Sequence, residues 1–509
     1  MTDSRKAIAY VAILTLMWAL IPTLFYQNPP LDVVEGYAWG RDLALGYTKH
    51  PPMTAWLLEL VYVFTGGRTF GAYWLSQICM ALSYLGIWQL STRVGLPPRS
   101  AFWSVVLTSF IYYFLFPTPE FNPNILQMPV WIWLVLLLHR GLDEDKLIDW
   151  LAIGVLAAFG LYSKYFVLLI IGCMGLYMLA FPAGRKLLRN PLKHPGPWLT
   201  LVLTAGLLLP HLYWLKETGY QTLTYAAARS NPPTSGLSHL TNPLNFLAGQ
   251  IADHAALFII CMIGFGVSGL KRIRLHRASS PSPRFPVPYN LEPRDRHFVL
   301  WFAFAPLAVL LLVNATCGAE FKQMWGTPMF GLSGLVAVIW CRIPDAWTSE
   351  RRAFATAVGL QTICLIVLMA MAILPPAFGH KPPKTAFPGH ALADTMTAAW
   401  REETDLPLKY VAGDVWEAAN VTLFSSDQPH FFWFHGYHRS PWLDPQDIKR
   451  SGVLIVWLGT SPNPPAPLKA LYPDLPRTGS SLVPWSIDTG GAPVQINWIT
   501  VRPDQVRAP

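Results

Sequence analysis

Eleven apolar stretches, each near the length that crosses a bilayer as a helix, constrain this chain more than any other feature. A spanning helix needs about 20 mostly apolar residues, because hydrocarbon offers no partner for a free backbone group. Such stretches occupy 7–26, 71–92, 100–116, 125–140, 148–163, 165–182, 197–215, 246–270, 297–316, 325–341 and 353–375. Charged residues make up 13% of the chain and hydrophobic residues 52%; a soluble domain carries about 25% charge. The expected class is an α-helical, multi-pass membrane protein with about 11–13 spans. The stretch 51–66 contains Glu59 and starts at Pro51-Pro52, so it is expected to lie at the interface rather than to span.

Charge sets the orientation. With the N-terminus inside, one side of the membrane receives the basic loops 183–196 and 271–296, together with Arg93, Arg99, Arg140, Lys146, Arg342, Arg351 and Arg352. The loops between spans on the other side hold only Arg41, Lys49, Arg68, Lys164, Lys216, Arg229 and Lys322. That asymmetry obeys the positive-inside rule. The net charge of +9 is thereby assigned to topology and anionic lipid, and nucleic acid is not expected as a partner. The six cysteines, Cys79, Cys173, Cys261, Cys317, Cys341 and Cys364, lie in or beside apolar stretches. No disulfide framework or cysteine–metal site is expected. The first stretch lacks a small-residue cleavage site and is read as a retained anchor.

The character changes near residue 376. Pro375-Pro376, Pro382-Pro383 and Pro388 mark a linker. Short apolar runs such as Lys409–Ala412 and Val453–Leu458 then alternate with Pro, Gly and Asp, the pattern of strands in a small α/β domain. Two domains are expected, a membrane domain over 1–375 and an outer, periplasmic domain over 376–509.

The polar residues of the outer loops concentrate the chemistry. Asp32 and Glu35 are three apart, so they share a helix face where the chain leaves the first span. A carboxylate at a low-dielectric boundary has a raised pKa and suits a general base; the competing reading is a capping box, with Asp32 as N-cap and Glu35 at N3. Gly46-Tyr47-Thr48-Lys49-His50-Pro51-Pro52 sets a cation before a rigid turn, fit to hold a phosphate, or else a snorkelling lysine before a helix. The loop Phe116–Asn124 offers Glu120, Asn122 and Asn124, or is an ordinary proline-rich turn. Lys164 interrupts a long apolar run, a costly position that points to an anionic partner. Lys322 is a further outer cation, near Trp325, and Arg229 and His239 lie in an outer loop that can close over the same place.

These motifs, in this order, resemble the bacterial glycosyltransferase family 39, which includes relatives of protein O-mannosyltransferases and of the aminoarabinose transferase acting on lipid A. The resemblance runs from the first outer loop, with Tyr37, Trp39 and the Lys49-His50-Pro51-Pro52 motif, through Glu120–Asn124 and Ser163-Lys164-Tyr165 to Lys322–Pro328. It implies a GT-C fold in the bacterial inner membrane and sugar transfer from a polyprenyl-phosphate donor to a lipid, glycan or protein acceptor of the cell envelope, usually with inversion. Asp32 or Glu35 would be the base; the family's usual Asp-Glu pair is here Val34-Glu35, with Asp32 one turn earlier. Tyr37, Tyr47, Lys49, His50, Glu120, Asn122, Lys164, Tyr165, Lys322 and Trp325 would bind substrate, with the three lysines near the donor phosphate. The resemblance requires no cofactor, and a divalent metal is not indicated. A transporter or flippase of lipid-linked sugars is the rival; it is expected to show broken helices or inverted repeats, and the sequence displays neither.

Overall fold

The computed structural model describes residues 2–229, 232–278, 291–374, 382–433, 436–471, 478–487 and 492–505. In chain order its α-helices are α1 (Asp3–Phe25), α2 (Leu31–Gly40), α3 (Met53–Phe64), α4 (Gly71–Arg93), α5 (Pro98–Thr108), α6 (Pro123–Glu144), α7 (Leu147–Ser163), α8 (Val167–Ala180), α9 (Pro182–Leu188), α10 (Gly196–Glu217), α11 (Gln221–Ala228), α12 (Ser238–Ala252), α13 (Ala255–Ala278), α14 (Pro293–Cys317), α15 (Ser333–Cys341), α16 (Glu350–Ile373), α17 (Gly389–Glu403), α18 (Val415–Phe424), α19 (Pro445–Ser451) and α20 (Ala466–Leu471).

Every expected apolar stretch coincides with a helix. Among the described residues, α1, α6, α10, α14 and α16 are each long and apolar enough to cross a membrane. Three bent pairs reach that length together: α8 with α9, α12 with α13, and the 3₁₀ segment Gln323–Phe330 with α15. Of the remaining three stretches, α4 has the length but less apolar character, and α5 and α7 are shorter. The expected span 100–116 stops as a helix at Thr108, because the Tyr112 amide donates to Asp253 O (2.9 Å) instead of continuing the helical ladder. The bends, of 90°, 49° and 57°, correct the expectation that no helix is broken. The first falls at Phe181-Pro182, where a proline cannot continue the preceding ladder. The basic stretch 279–290 and the domain boundary at 375–376 lie outside the described residues.

The polar loops expected on the outer side are built by short elements at one end of the bundle. α2 follows α1 after Pro29-Pro30, and α3, the stretch expected at the interface, packs across α2. Gly40 permits that approach, since a Cβ there would stand 2.5 Å from Ala55 O. α11 covers the loop between α2 and α3: Thr222 Oγ1 donates to Tyr47 O (2.8 Å) and Thr48 Oγ1 to Gln221 Oε1 (3.1 Å).

The C-terminal region forms a five-stranded mixed sheet in the order β2-β1-β3-β5-β4. β1 (Tyr410–Gly413) is parallel to β2 (His430–Trp433) and β3 (Val453–Leu458), and β5 (Val494–Val501) is antiparallel to β3 and to β4 (Gly479–Val483). β1 and β3 are the two runs expected as strands. β3 is buried along nearly its whole length, as a central strand covered on both faces requires. The sheet domain docks on the first loop through α18 against α2. Its Thr385 O accepts from both Gln27 N (2.9 Å) and Asn28 N (3.0 Å), and His430 Nδ1 lies 2.7 Å from Asp42 Oδ1.

Candidate active site

Asp32 and Glu35 both lie in the first half of α2. The helix starts at Leu31 with Pro30 as its N-cap, so the capping-box alternative does not occur. The two carboxyls instead open on a narrow cleft lined by Trp39, Tyr47, His50, Thr54 and Pro123. Lys49 Nζ donates to Glu35 Oε1 at 2.5 Å, and the Glu35 side chain is only 6% exposed. Burial pushes the Glu35 carboxyl up to about 7 against the opposing pull of the Lys49 ammonium. Burial works against the Lys49 ammonium, yet Glu35, by charge and hydrogen bond, holds its pKa above the ordinary lysine value. Aromatic rings close around the cation: Lys49 Nζ is 5.9 Å from the Trp39 ring centroid and 4.9 Å from that of Trp433.

Asp32 has no ion pair within 4 Å among the described residues. Burial raises its pKa, while the charges of Lys49, Lys164 and Lys384 and a hydrogen bond from Asn122 lower it. Its backbone N–H donates to Glu120 Oε1 (3.0 Å), and burial, reinforced by the Asp32 charge, pushes Glu120 up to about 7. The loop Phe116–Asn124 is therefore part of the site. Asn122 caps α6, accepting from Asn124 N (2.9 Å) and Ile125 N (3.2 Å), with Pro123 in the first turn where its missing N–H costs nothing.

Lys164 sits in the three-residue junction of α7 and α8. Its ammonium donates to Asn124 Oδ1, and burial brings its pKa down to about 8, the Asp32 charge opposing. Tyr165 OH pairs with His211 Nε2 (2.6 Å), whose Nδ1 is 2.7 Å from Leu45 O, so the α7–α8 junction is tied to the first loop. Burial and the surrounding cations Lys164, Lys49 and Arg229 hold His50 far down, at about 3, so the imidazole is neutral.

Other residues stand apart. Tyr37 OH donates to Thr69 O (3.2 Å) and its ring meets Tyr62, away from the cleft. Trp325 packs on Phe166 and Phe321. Lys322 caps the 3₁₀ segment and makes no hydrogen bond or ion pair to the carboxylates; its neighbour Met324 meets Asn124 through a 3.7 Å N–H···S contact. His239 is 2.8 Å from Ala315 O, outside the cluster. Three contributors lie outside the sequence-based expectations, namely His211, Trp433 and Lys384, whereas Asn124 belongs to the loop expected to assist Asp32. Lys384 follows Pro382-Pro383, a cation beside a double proline like Lys49, and that echo was its one local signal.

A second, roomier cavity lies elsewhere. It is an apolar groove of about 990 Å³ along α1 and α16, with its charged residues Asp3, Lys6, Arg99, Glu350 and Arg351 at one end. It has the apolar walls of a lipid-facing groove and lacks a buried carboxylate–lysine pair.

The chain matches the family model for dolichyl-phosphate-mannose-protein mannosyltransferase over residues 49–214, about a third of its length. It is 21% identical to the lipid A galacturonosyltransferase RgtD of Rhizobium johnstonii over 61% of this chain, and spans 60% of that relative's length. It is 24% identical to the lipopolysaccharide core galacturonosyltransferase RgtB of the same organism, covering 87% of this chain and 84% of that one. Its fold matches ArnT from Cupriavidus metallidurans bound to undecaprenyl phosphate, with TM-score 0.57 and 11% identity over 96% of this chain and 97% of that one. Against the apo state of the same protein the TM-score is 0.59, with 12% identity over 98% of each chain. The chain thus has the fold of the ArnT structures, with several helices long and apolar enough to cross a membrane, and its sequence is similar to glycosyltransferases of lipid A and the lipopolysaccharide core.

Proposed function

We propose that this protein transfers a sugar from a polyprenyl-phosphate donor to a lipid A or lipopolysaccharide core acceptor at the outer face of the bacterial inner membrane. The observation that carries the reading is convergence: Asp32 and Glu35 of α2, Lys49 of the first loop, Glu120 of the next loop and Lys164 of the α7–α8 junction meet in one half-buried cluster. Asp32 is the base, because Glu35 is already committed to Lys49 while Asp32 has no ion pair. It takes the proton of an acceptor hydroxyl or amine as that atom bonds to the anomeric carbon. The bond from that carbon to the phosphate oxygen breaks in the same displacement. Lys49 and Lys164 receive the negative phosphate as it departs, and stabilising that charge is the largest contribution to rate. The lysines supply this charge themselves, so the reading calls for no divalent metal, and transfer is expected to persist in a chelator.

Both relatives are named as galacturonosyltransferases, which makes a galacturonosyl donor the first to test. The experiment incubates purified protein with radiolabelled polyprenyl-phosphate sugar and lipid A. Covalent label on the acceptor, absent with Asp32→Asn, is the expected result. Movement of the intact donor across a vesicle without transfer would instead establish the transporter reading. Orientation is read separately: reporter fusions at Arg189 and Asp427 are expected on opposite sides of the membrane, and signals on one side overturn the placement.

A further inference from the structure

The C-terminal domain reaches Lys49 through the end of β2. Trp433 is buried there with its ring facing Lys49 Nζ at 4.9 Å, a full ångström closer than Trp39. Arg439 faces the same ring, with Cζ at 5.7 Å. The backbone that carries the indole is fixed on both sides: Trp433 N–H donates to Ser440 Oγ (3.0 Å), and Thr48, the neighbour of Lys49, donates its hydroxyl to Arg439 O (2.7 Å). The Lys49 side chain is left only 17% exposed.

An ammonium is a compact, strongly hydrated charge on a flexible stem. Glu35 holds it on one side only, and on the others it either meets water or meets something that replaces water. The face of an indole is the best aromatic replacement, since its quadrupole attracts a cation most strongly when both are desolvated. We propose that Trp433 is a positioning residue for Lys49: its ring, delivered by the C-terminal domain, keeps the ammonium at Glu35 and in the phosphate site, so that domain is a working part of the catalytic centre. This rests on the reading of Lys49 as a phosphate ligand.

The test compares Trp433→Phe, which keeps a ring face, with Trp433→Leu, which keeps bulk and loses it. Trp433→Leu is expected to lower kcat/KM about tenfold, mostly through a higher KM for the donor, and Trp433→Phe to stay within about threefold of the parent. In a Lys49→Met background, Trp433→Leu is expected to cost nothing more. A readout independent of turnover is the rate at which a water-soluble amine-reactive ester modifies Lys49 in the purified full-length protein, followed by mass spectrometry. It is expected to rise several-fold in Trp433→Leu and not in Trp433→Phe. If Trp433→Leu does not fold, Trp433→Met replaces it with the same expectations. Equal losses in the two variants, an undiminished cost in the Lys49→Met background, or unchanged labelling would each overturn the proposal. Failure of the parent to transfer sugar from any donor would sink the functional reading and leave the labelling to decide this one.

Discussion

The two ends of α6 carry ion clusters built on opposite terms. At the Glu144 end each carboxylate has its cation: Arg93 pairs with Asp143 (3.1 Å) and Glu144 (2.8 Å), Arg294 with Asp143, His139 Nε2 lies 2.9 Å from Asp295, and Arg140 pairs with Asp149 (2.8 Å). The acids and arginines of this network are mostly between a sixth and two-fifths exposed. At the Asn122 end, some 33 Å away by helix rise, Asp32, Glu35 and Glu120 share one close ion pair, Lys49–Glu35, and all three carboxyls are pushed upward by burial. Saturated, wet ion pairs tie helix ends together and do little else. An under-compensated, desolvated cluster keeps its groups near the point of proton exchange, the state a catalytic centre needs and a scaffold has no use for.

The sharpest way to break this contrast is at the unpaired acid. Asp32→Asn is expected to lower the transfer rate by about 10²–10⁴-fold, the usual contribution of a general base, with the melting temperature unchanged or raised, because a buried charge has been removed. A loss of only a few-fold would return Asp32 to a structural role. Next come the lysines. Lys49→Met and Lys164→Met are each expected to cost about tenfold or more in kcat/KM, since each removes a charge-assisted hydrogen bond to the leaving phosphate. Lys322→Met is expected to cost less than either, because its side chain makes no bond to the cluster. An effect of Lys322→Met equal to that of Lys164→Met would mean that the donor itself completes a three-lysine cradle.

The pH dependence sharpens the same point. Activity is expected to rise with pH through about 7, as Glu35 and Glu120 ionise, and to fall above about 8, as Lys164 loses its proton. Stability runs the other way on the acid side. A carboxyl whose folded pKa lies above its unfolded value binds its proton more tightly when folded, so its contribution is full below the unfolded pKa and is lost as pH rises through about 7. Melting curves between pH 5 and 8 are thus expected to decline while turnover climbs. Parallel curves would show that these carboxyls are ionised throughout.

Much of this was legible in the sequence, and the reasons differ by residue. The helices announced themselves because a spanning segment must satisfy its own backbone and is apolar along its length. Asp32, Glu35, Lys49 and Lys164 stood out because charge is scarce where they occur. Trp433 and Lys384 carry no such mark, being an aromatic and a cation in a domain rich in both, and only the docking of that domain on the first loop gives them neighbours. His211 was hidden for a related reason, since a polar residue inside a span acquires meaning from its partner. The shortened helix at 98–108 was misjudged because apolar length alone does not reveal that Tyr112 bonds to Asp253.

The smallest expected effect tests the other half of the contrast. Arg93 belongs to the paired network, where its guanidinium bridges Asp143 and Glu144 with about a quarter of its side chain exposed. Water competes for both partners, so the net value of such a pair is about 0.2–1 kcal/mol. Arg93→Met leaves Asp143 in contact with Arg294 and Glu144 with Lys146 at 2.7 Å, so neither acid is stranded. The apparent melting temperature is expected to fall by about 2 °C or less, with transfer activity within about twofold of the parent. High salt is expected to shrink even that difference, because exposed charges are screened beyond about 10 Å at 0.1 M. A large loss of activity from Arg93→Met, in protein that still melts cooperatively, would show that the paired end communicates with the cleft along α6, and the division between scaffold and chemistry would fail.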